Sequence, residues 1–412
     1  MSSKKLPQGA YVWIWLPNAT EPVVAGLLSR QDGTLLFNYG KSYLERTNAI
    51  AIYEPELPLK LGVLPLLNDL FMPNSIRDAS PDAWGRRVLL YRSGNKEGDL
   101  VDLDELICLL ESGSDRIGAL DFQHSPTEYV PRLGAHASLE DLMESAARVQ
   151  EGLPIRKALD QALQHGTSIG GARPKVMIES DDKKYIAKFS SSSDVYNVVK
   201  AEYIAMRLAN LVGINAASVK LEKTMGKDVL LVERFDRIKT TKGWQRKSMV
   251  SALTILGLGE MQARYASYED MAEIVRSRFT DSGNTLRELF SRIVFNILCG
   301  NTDDHARNHA AFWDGVYLTL TPAYDICPQN RTGNEASQAM LIIGQNRMSQ
   351  LSVCLDAAQK FQLNSNEAQE IIEQQKRGID EHWEEVCDEA KLTTVERKQL
   401  MGRQFLNPSI SW

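Results

Sequence analysis

Short apolar runs, broken every eight to twelve residues, dominate the start of the chain. Tyr11 to Leu16 reads as a strand. Val23 to Leu28 and Thr34 to Asn38 flank the turn Gln31-Asp32-Gly33 and predict a hairpin, and Ala49 to Tyr53 predicts one more strand. Pro55, Pro58, Pro65 and Pro73 then interrupt the pattern. Helical spacing follows at Pro81 to Leu90 and at Leu103 to Leu110, where Leu103, Leu106, Ile107 and Leu110 share a face. Two prolines between Ser125 and Leu133 place a boundary near residue 130.

The middle of the chain is again β-rich. Pro174 to Ile178 and Lys184 to Phe189 predict two strands joined by the polar turn Ser180 to Lys183. Val195 to Leu211 has helical period, with Val198, Val199, Tyr203, Met206 and Leu211 recurring. Val219 to Leu221 and Val229 to Val232 predict a second hairpin around Gly226. After about residue 245 the pattern turns helical. Leu286 to Cys299 predicts an apolar helix closed by Gly300. The pair Asp314-Gly315, between Ala311 to Trp313 and Val316 to Leu320, is a strong hairpin signal. Gln350 to Met401 is helical once more. No repeat or low-complexity tract occurs.

Composition narrows the class. With 412 residues, 43% hydrophobic and 24% charged, the chain has the make-up of an ordinary globular protein, which excludes disorder and disulfide-stapled mini-scaffolds. A net charge of −6 argues against gripping nucleic acid with the whole surface. Five cysteines without a Cys-x-x-Cys pair exclude a zinc ribbon and fit a reducing, cytoplasmic setting. The apolar run from Tyr11 is too short to span a membrane.

The candidate chemistry lies in Asn301-Thr-Asp-Asp-His-Ala-Arg-Asn308. Asp303 and Asn308 have the D-x-x-x-x-N spacing of a kinase catalytic loop. Phosphoryl transfer needs a carboxylate to take the hydroxyl proton and an oxygen ligand for Mg²⁺, and this spacing lets one loop supply both. Alone the spacing is weak. It gains from Asp325, just beyond the Asp314-Gly315 hairpin, where a second metal-binding carboxylate would sit. The plainer alternative makes Asp303 a helix cap and Asp325 a turn residue. Lys188, mid-strand, could hold nucleotide phosphates with Glu202 of the next helix as its partner, or be a solvated edge residue. Gly166 to Lys175 is a glycine-rich loop of no standard phosphate-binding pattern. Glu233 to Arg237 stands where an adenine-binding hinge would begin, or forms an exposed polar turn. His305 and His309, four apart, also permit a metal-dependent phosphohydrolase.

Four segments in this order, TSIGGARPK, VERFDR, NTDDHARN and LTPAYDI, resemble the HipA family of bacterial serine/threonine kinase toxins. SPDAWGRRVL and SDRIGALDF resemble that family's N-terminal subdomain. The resemblance implies an α+β, bilobal, protein-kinase-like fold. Its parts would be an N-terminal β-rich subdomain (1–130), a nucleotide-binding β-rich lobe (131–237) and a helical catalytic lobe (238–412). It implies ATP and Mg²⁺ as cofactors, Asp303 as catalytic base, and Asn308 and Asp325 as metal ligands. Lys188, Glu202, Glu233, Phe235, Ser168, Ile169 and Gly170 would form the nucleotide site. Ser168 would be the site of inactivating autophosphorylation. The partners implied are a HipB-like helix-turn-helix antitoxin, DNA only through that antitoxin, and a protein substrate such as an aminoacyl-tRNA synthetase, glutamyl-tRNA synthetase being the best known. The loop's Arg173-Pro174 and Asp304 beside the base depart from the common family pattern. Two other readings stay open: a small-molecule phosphotransferase and a kinase-fold co-repressor.

Overall fold

Four antiparallel sheets and a helical body make up the computed structural model, which describes residues 6–93, 103–134, 137–153, 164, 166–168, 171–180, 182–190, 194, 196–331 and 333–411. The first sheet has the order β3-β2-β1-β4, from Gly9–Ile14 (β1), Val23–Gln31 (β2), Thr34–Tyr39 (β3) and Leu120–Gln123 (β4). The predicted turn at Gln31 to Gly33 joins β2 to β3. The expected strand at Ala49 to Tyr53 is absent. Its backbone groups are taken by aromatic side chains instead. Tyr43 Oη donates to the Ile50 carbonyl (2.7 Å), the Ile52 N–H donates to Tyr39 Oη (2.9 Å), and Trp313 Nε1 donates to the Ala51 carbonyl (2.9 Å). With those groups satisfied, the segment needs no ladder.

Two helices follow, Ala83–Ser93 (α1) and Glu105–Glu111 (α2), close to the two predicted ones. A third, Leu139–Gln150 (α3), starts with a reciprocal Ser138/Asp141 capping box. The second sheet has the order β5-β6-β8-β7, built from Lys175–Ser180 (β5), Lys183–Phe189 (β6), Val219–Thr224 (β7) and Lys227–Glu233 (β8). Lys188 is therefore on an inner strand, and the solvated-edge alternative falls. One face of this sheet, with Val176, Ala187, Phe189 and Leu231, packs on Trp84 and α3. Helix Val198–Leu211 (α4) covers the other, where Leu230 and Val232 join the largest core. Val195, the predicted start of α4, lies outside the described residues.

The chain then departs from the helical expectation. Arg237–Thr240 (β9) and Gly243–Arg246 (β10) form a small hairpin, and Met249–Ser251 (β11) joins Ala310–Trp313 (β12) and Leu318–Leu320 (β13) in a third sheet. The β9–β10 pair is too short and too polar to leave a period-two apolar signal. It is held by Lys184 and Lys239 over the face of Trp244. The helical body comprises Tyr268–Arg278 (α5), Ser282–Leu298 (α6), Leu351–Ala357 (α7) and Ser365–Glu389 (α8). Gly300, at φ 70°, closes α6 as predicted. At the β12–β13 turn, Asp314 Oδ1 accepts the Val316 and Tyr317 N–H groups, both at 2.7 Å. Among the described residues no helix is long and apolar enough to cross a membrane, and all five cysteines are free thiols.

Candidate active site

The register of the β5–β6 hairpin sets the floor of the site. Lys175 and Lys188 are directly paired across the two strands, so both side chains leave the same face. Both are buried, at 8% exposure each. From α4, Glu202 ion-pairs with Lys188, and from the loop after β13 Asp325 does the same. Three separate elements, the last of them 137 positions from the lysine, thus meet on one ammonium. Burial works against the Lys188 charge, but Asp325 and Glu202 outweigh it and hold the lysine above its ordinary value. Burial likewise opposes the Asp325 charge, and Lys188 and Lys175 reverse this and hold its carboxyl well below the usual range. Burial, with Lys188 adding repulsion, pushes Lys175 down. Its ammonium makes no ion pair among the described residues, so it is a buried cation facing another cation. Asp325 has φ 59°, a left-handed conformation that an aspartate tolerates.

Lys175, Lys188, Asp325, Asn308, Glu233, Phe235 and Ser168 all line one cavity. The Glu233 to Arg237 segment leaves only particular backbone groups open. The Glu233 N–H is spent on the Ser218 carbonyl (2.9 Å) and the Arg234 N–H on the Lys184 carbonyl (2.8 Å). The Phe235 N–H makes no bond among the described residues. The Phe235 ring packs edge-on against Phe312 and tilted against Tyr324, with centroids 5.9 and 5.7 Å away. The charged residues of this segment are not the exposed turn of the plainer reading. Arg234 bridges Asp236 (2.8 Å) and Asp115 (2.9 Å), Arg237 binds the same two carboxylates, and Lys184 joins at Asp115 (2.8 Å). Arg234 and Arg237 are buried. This network fastens the Glu233 to Arg237 segment to Asp115, Arg116 and Gly118.

The Asn301 to Asn308 motif forms a turn after α6. Asp303 is exposed and is not among the residues lining the cavity, and its carbonyl accepts Asn308 Nδ2 at 3.2 Å. That bond assigns the amide orientation and leaves Asn308 Oδ1 as a free acceptor. Asp304, by contrast, is buried at 3% and accepts from Tyr268 Oη, from Asn296 Nδ2 at 2.7 Å and from His309 Nε2 at 3.0 Å. It braces the loop from beneath. His309 is thereby occupied and His305 lines the cavity, so the two histidines do not make a metal pair. Among the described residues no group of three His, Cys, Asp or Glu could hold a metal ion.

Ser168 donates through Oγ to the Asp115 carbonyl at 3.1 Å and is buried. Ile169 and Gly170 lie outside the described residues. Reading the sequence missed Lys175, although a signal existed: the turn pairing Ser180 with Lys183 carries straight back to Lys175 opposite Lys188. It also missed the bracing role of Asp304, for which the sequence carries no signal.

Comparison with known proteins matches this arrangement. Residues 167–383 match the HipA-like C-terminal domain and residues 16–123 the HipA N-terminal domain. A relative from Sinorhizobium fredii, named "Putative kinase Y4mE", is 26% identical over 330 residues, covering 74% of each chain. The serine/threonine-protein kinase toxin HipA of Shewanella oneidensis is 25% identical over 187 residues, 39% of this chain and 42% of that protein. A solved HipA from the same organism, in complex with HipB and operator DNA, superposes with a TM-score of 0.66 at 18% identity, covering 97% of this chain and 99% of the other. That likeness establishes the bilobal kinase-like α+β fold. With its C-terminal domain model alone spanning more than half of the sequence, the chain belongs to the HipA family.

Proposed function

We infer that this chain is an ATP- and Mg²⁺-dependent serine/threonine-protein kinase acting as the toxin of a toxin–antitoxin pair. The observation that carries the reading is the meeting of Lys188, Glu202 and Asp325 at a cavity that also holds the unpaired Lys175. Two cations directly opposite each other repel, and burial makes this worse. A triphosphate removes that repulsion, so Lys175 and Lys188 are the phosphate-binding residues, with Glu202 orienting Lys188. The open Phe235 N–H and the Glu233 carbonyl receive the adenine edge, and the Phe235 ring packs beside it.

The residues also suit a divalent cation. Asn308 Oδ1 and the Asp325 oxygen not turned to Lys188 are hard ligands, and Mg²⁺ typically takes one or two protein oxygens with the rest from phosphate and water. When bound, such an ion supplies charge neutralisation at the phosphate oxygens. Asp303 accepts the proton of the attacking hydroxyl. Its exposure favours a hydroxyl on a macromolecule over one on a small molecule that must be enclosed. By family likeness the substrate is a host translation protein such as an aminoacyl-tRNA synthetase, and Ser168 is the inactivating autophosphorylation site. A HipB-like antitoxin is the partner, as in the Shewanella complex.

The test is transfer from labelled ATP, in Mg²⁺, to proteins of a cell lysate by the wild type and by Asp303→Ala. Label on a host protein that needs Asp303 supports the kinase reading. Equal labelling by both, or ATP binding without any transfer, refutes it.

A further inference from the structure

The motif Ser80-Pro-Asp-Ala-Trp-Gly-Arg-Arg87 has no part in the chemistry above, yet it reaches the glycine-rich segment. Asp82 Oδ2 accepts the Gly171 N–H at 3.0 Å. The Trp84 backbone N–H donates to the Gly171 carbonyl at 3.0 Å. The Trp84 indole Nε1 donates to the Lys175 carbonyl at 2.8 Å. Trp84 is 1% exposed and packs with Val176, Ala187 and Phe189 on the back of the second sheet. A second segment holds the start of the loop: the Gly113 N–H donates to Thr167 Oγ1 at 2.8 Å, and Ser168 Oγ donates to the Asp115 carbonyl. All of these bonds run from the N-terminal domain to the C-terminal one.

Gly171 has φ +90°, and a Cβ there would collide with the Lys175 ammonium. The position demands glycine, and glycine by itself is the least constrained residue in the chain. Two bonds from one short segment, one to its N–H and one to its carbonyl, leave it a single orientation. The indole bond fixes the backbone of Lys175, whose ammonium faces Lys188. A phosphate site gains affinity when such groups are ordered before the ligand arrives, because the ordering entropy is then not charged to binding.

We propose that Asp82 and Trp84 are positioning residues for the nucleotide phosphates, supplied by the N-terminal domain to the glycine-rich segment of the kinase domain. This rests on the nucleotide-binding reading above. Asp82 also stands 3.9 Å from Arg307, so its charge and its acceptor oxygen need separate tests. Asp82→Asn keeps an acceptor for the Gly171 N–H and drops the charge. Asp82→Ala drops both. Trp84→Phe keeps the buried ring and removes only the indole donor.

The experiment is calorimetric titration of the full chain with Mg·ATP and, separately, with adenosine, alongside the ligand-free melting temperature. Asp82→Ala is expected to weaken ATP about tenfold and Trp84→Phe about fivefold, with Asp82→Asn restored to near the wild type. Adenosine, which lacks phosphates, should bind all four proteins alike. If Asp82→Ala does not fold, the Trp84→Phe result decides. Wild-type ATP affinity in both Asp82→Ala and Trp84→Phe overturns the proposal. So does equal weakening of ATP and adenosine, since that marks a merely structural role. A wild type that binds neither ligand overturns the nucleotide reading itself, and this inference with it.

Discussion

Replacing Lys188 with methionine keeps most of the side-chain volume and removes the one charge shared by Glu202 and Asp325. Breaking a buried pair from one side costs about 3–5 kcal/mol, because the remaining charge is stranded. Here the cost divides unequally. The Glu202 side chain is 4% exposed and takes most of it, whereas the Asp325 side chain is 39% exposed and is screened by solvent. Relief of the Lys175–Lys188 repulsion returns part. A loss of about 3 kcal/mol at pH 8 is expected. Protonation then gives the loss a distinctive pH dependence. Burial already pushes the Glu202 carboxyl up, and without Lys188 it rises further. A carboxyl raised in the folded state binds protons that the unfolded chain does not, so the variant's stability increases as pH falls, by up to about 1.4 kcal/mol per unit until the unfolded value near 4.3. The depressed Asp325 contributes in the wild type only above its unfolded value, and this contribution fades below about pH 4, outside the window. Urea unfolding of both ligand-free proteins at pH 8 and pH 5 measures the difference. The deficit should shrink by more than about 1.5 kcal/mol between the two, and Lys188→Met with Glu202→Gln should recover much of it. A deficit below about 1 kcal/mol at pH 8, or one equal at both pH values, refutes the buried triad as the source.

Asp303→Ala should abolish phosphoryl transfer while unfolding stability stays within about 0.5 kcal/mol, since the side chain is exposed; residual turnover above a few per cent in a transfer assay would count against it as the base. Asp304→Ala should behave in the opposite way for stability, losing about 2–4 kcal/mol in urea because Tyr268, Asn296 and His309 lose a shared buried acceptor. Gly315→Ala should cost about 1–2 kcal/mol, because φ is +105° and the new Cβ would stand 2.7 Å from Ile50 Cγ2; an unchanged melting curve would contradict that contact. Asp325→Ala should remove the Mg²⁺ dependence of ATP binding, and calorimetry with and without Mg²⁺ reports it.

Local pattern determined much of the architecture. The β2–β3, β5–β6, β7–β8 and β12–β13 hairpins, α4 and α6 follow from turn residues and apolar periodicity, which act over a few residues and need no distant partner. The motif residues could be named for the same reason, since Asp303 and Asn308 belong to one loop. What stayed out of reach depends on contacts across large separations. The segment Ala49 to Tyr53 has strand composition, but Tyr39, Tyr43 and Trp313 take its backbone groups, the last from 262 positions away. The β9–β10 hairpin rests on Trp244 meeting Lys184 from another sheet.

Sequence order thus singled out the candidate residues, and tertiary structure decided their surroundings. Lys188, Glu202 and Asp325 stand in three separate elements, and only folding brings the two carboxylates onto the one ammonium, where each charge stabilises the other. Asp303 and Asp304 are identical and adjacent, yet the turn after α6 sends one to solvent and the other into a buried network. That choice lies in burial and hydrogen-bond geometry, which no linear pattern encodes.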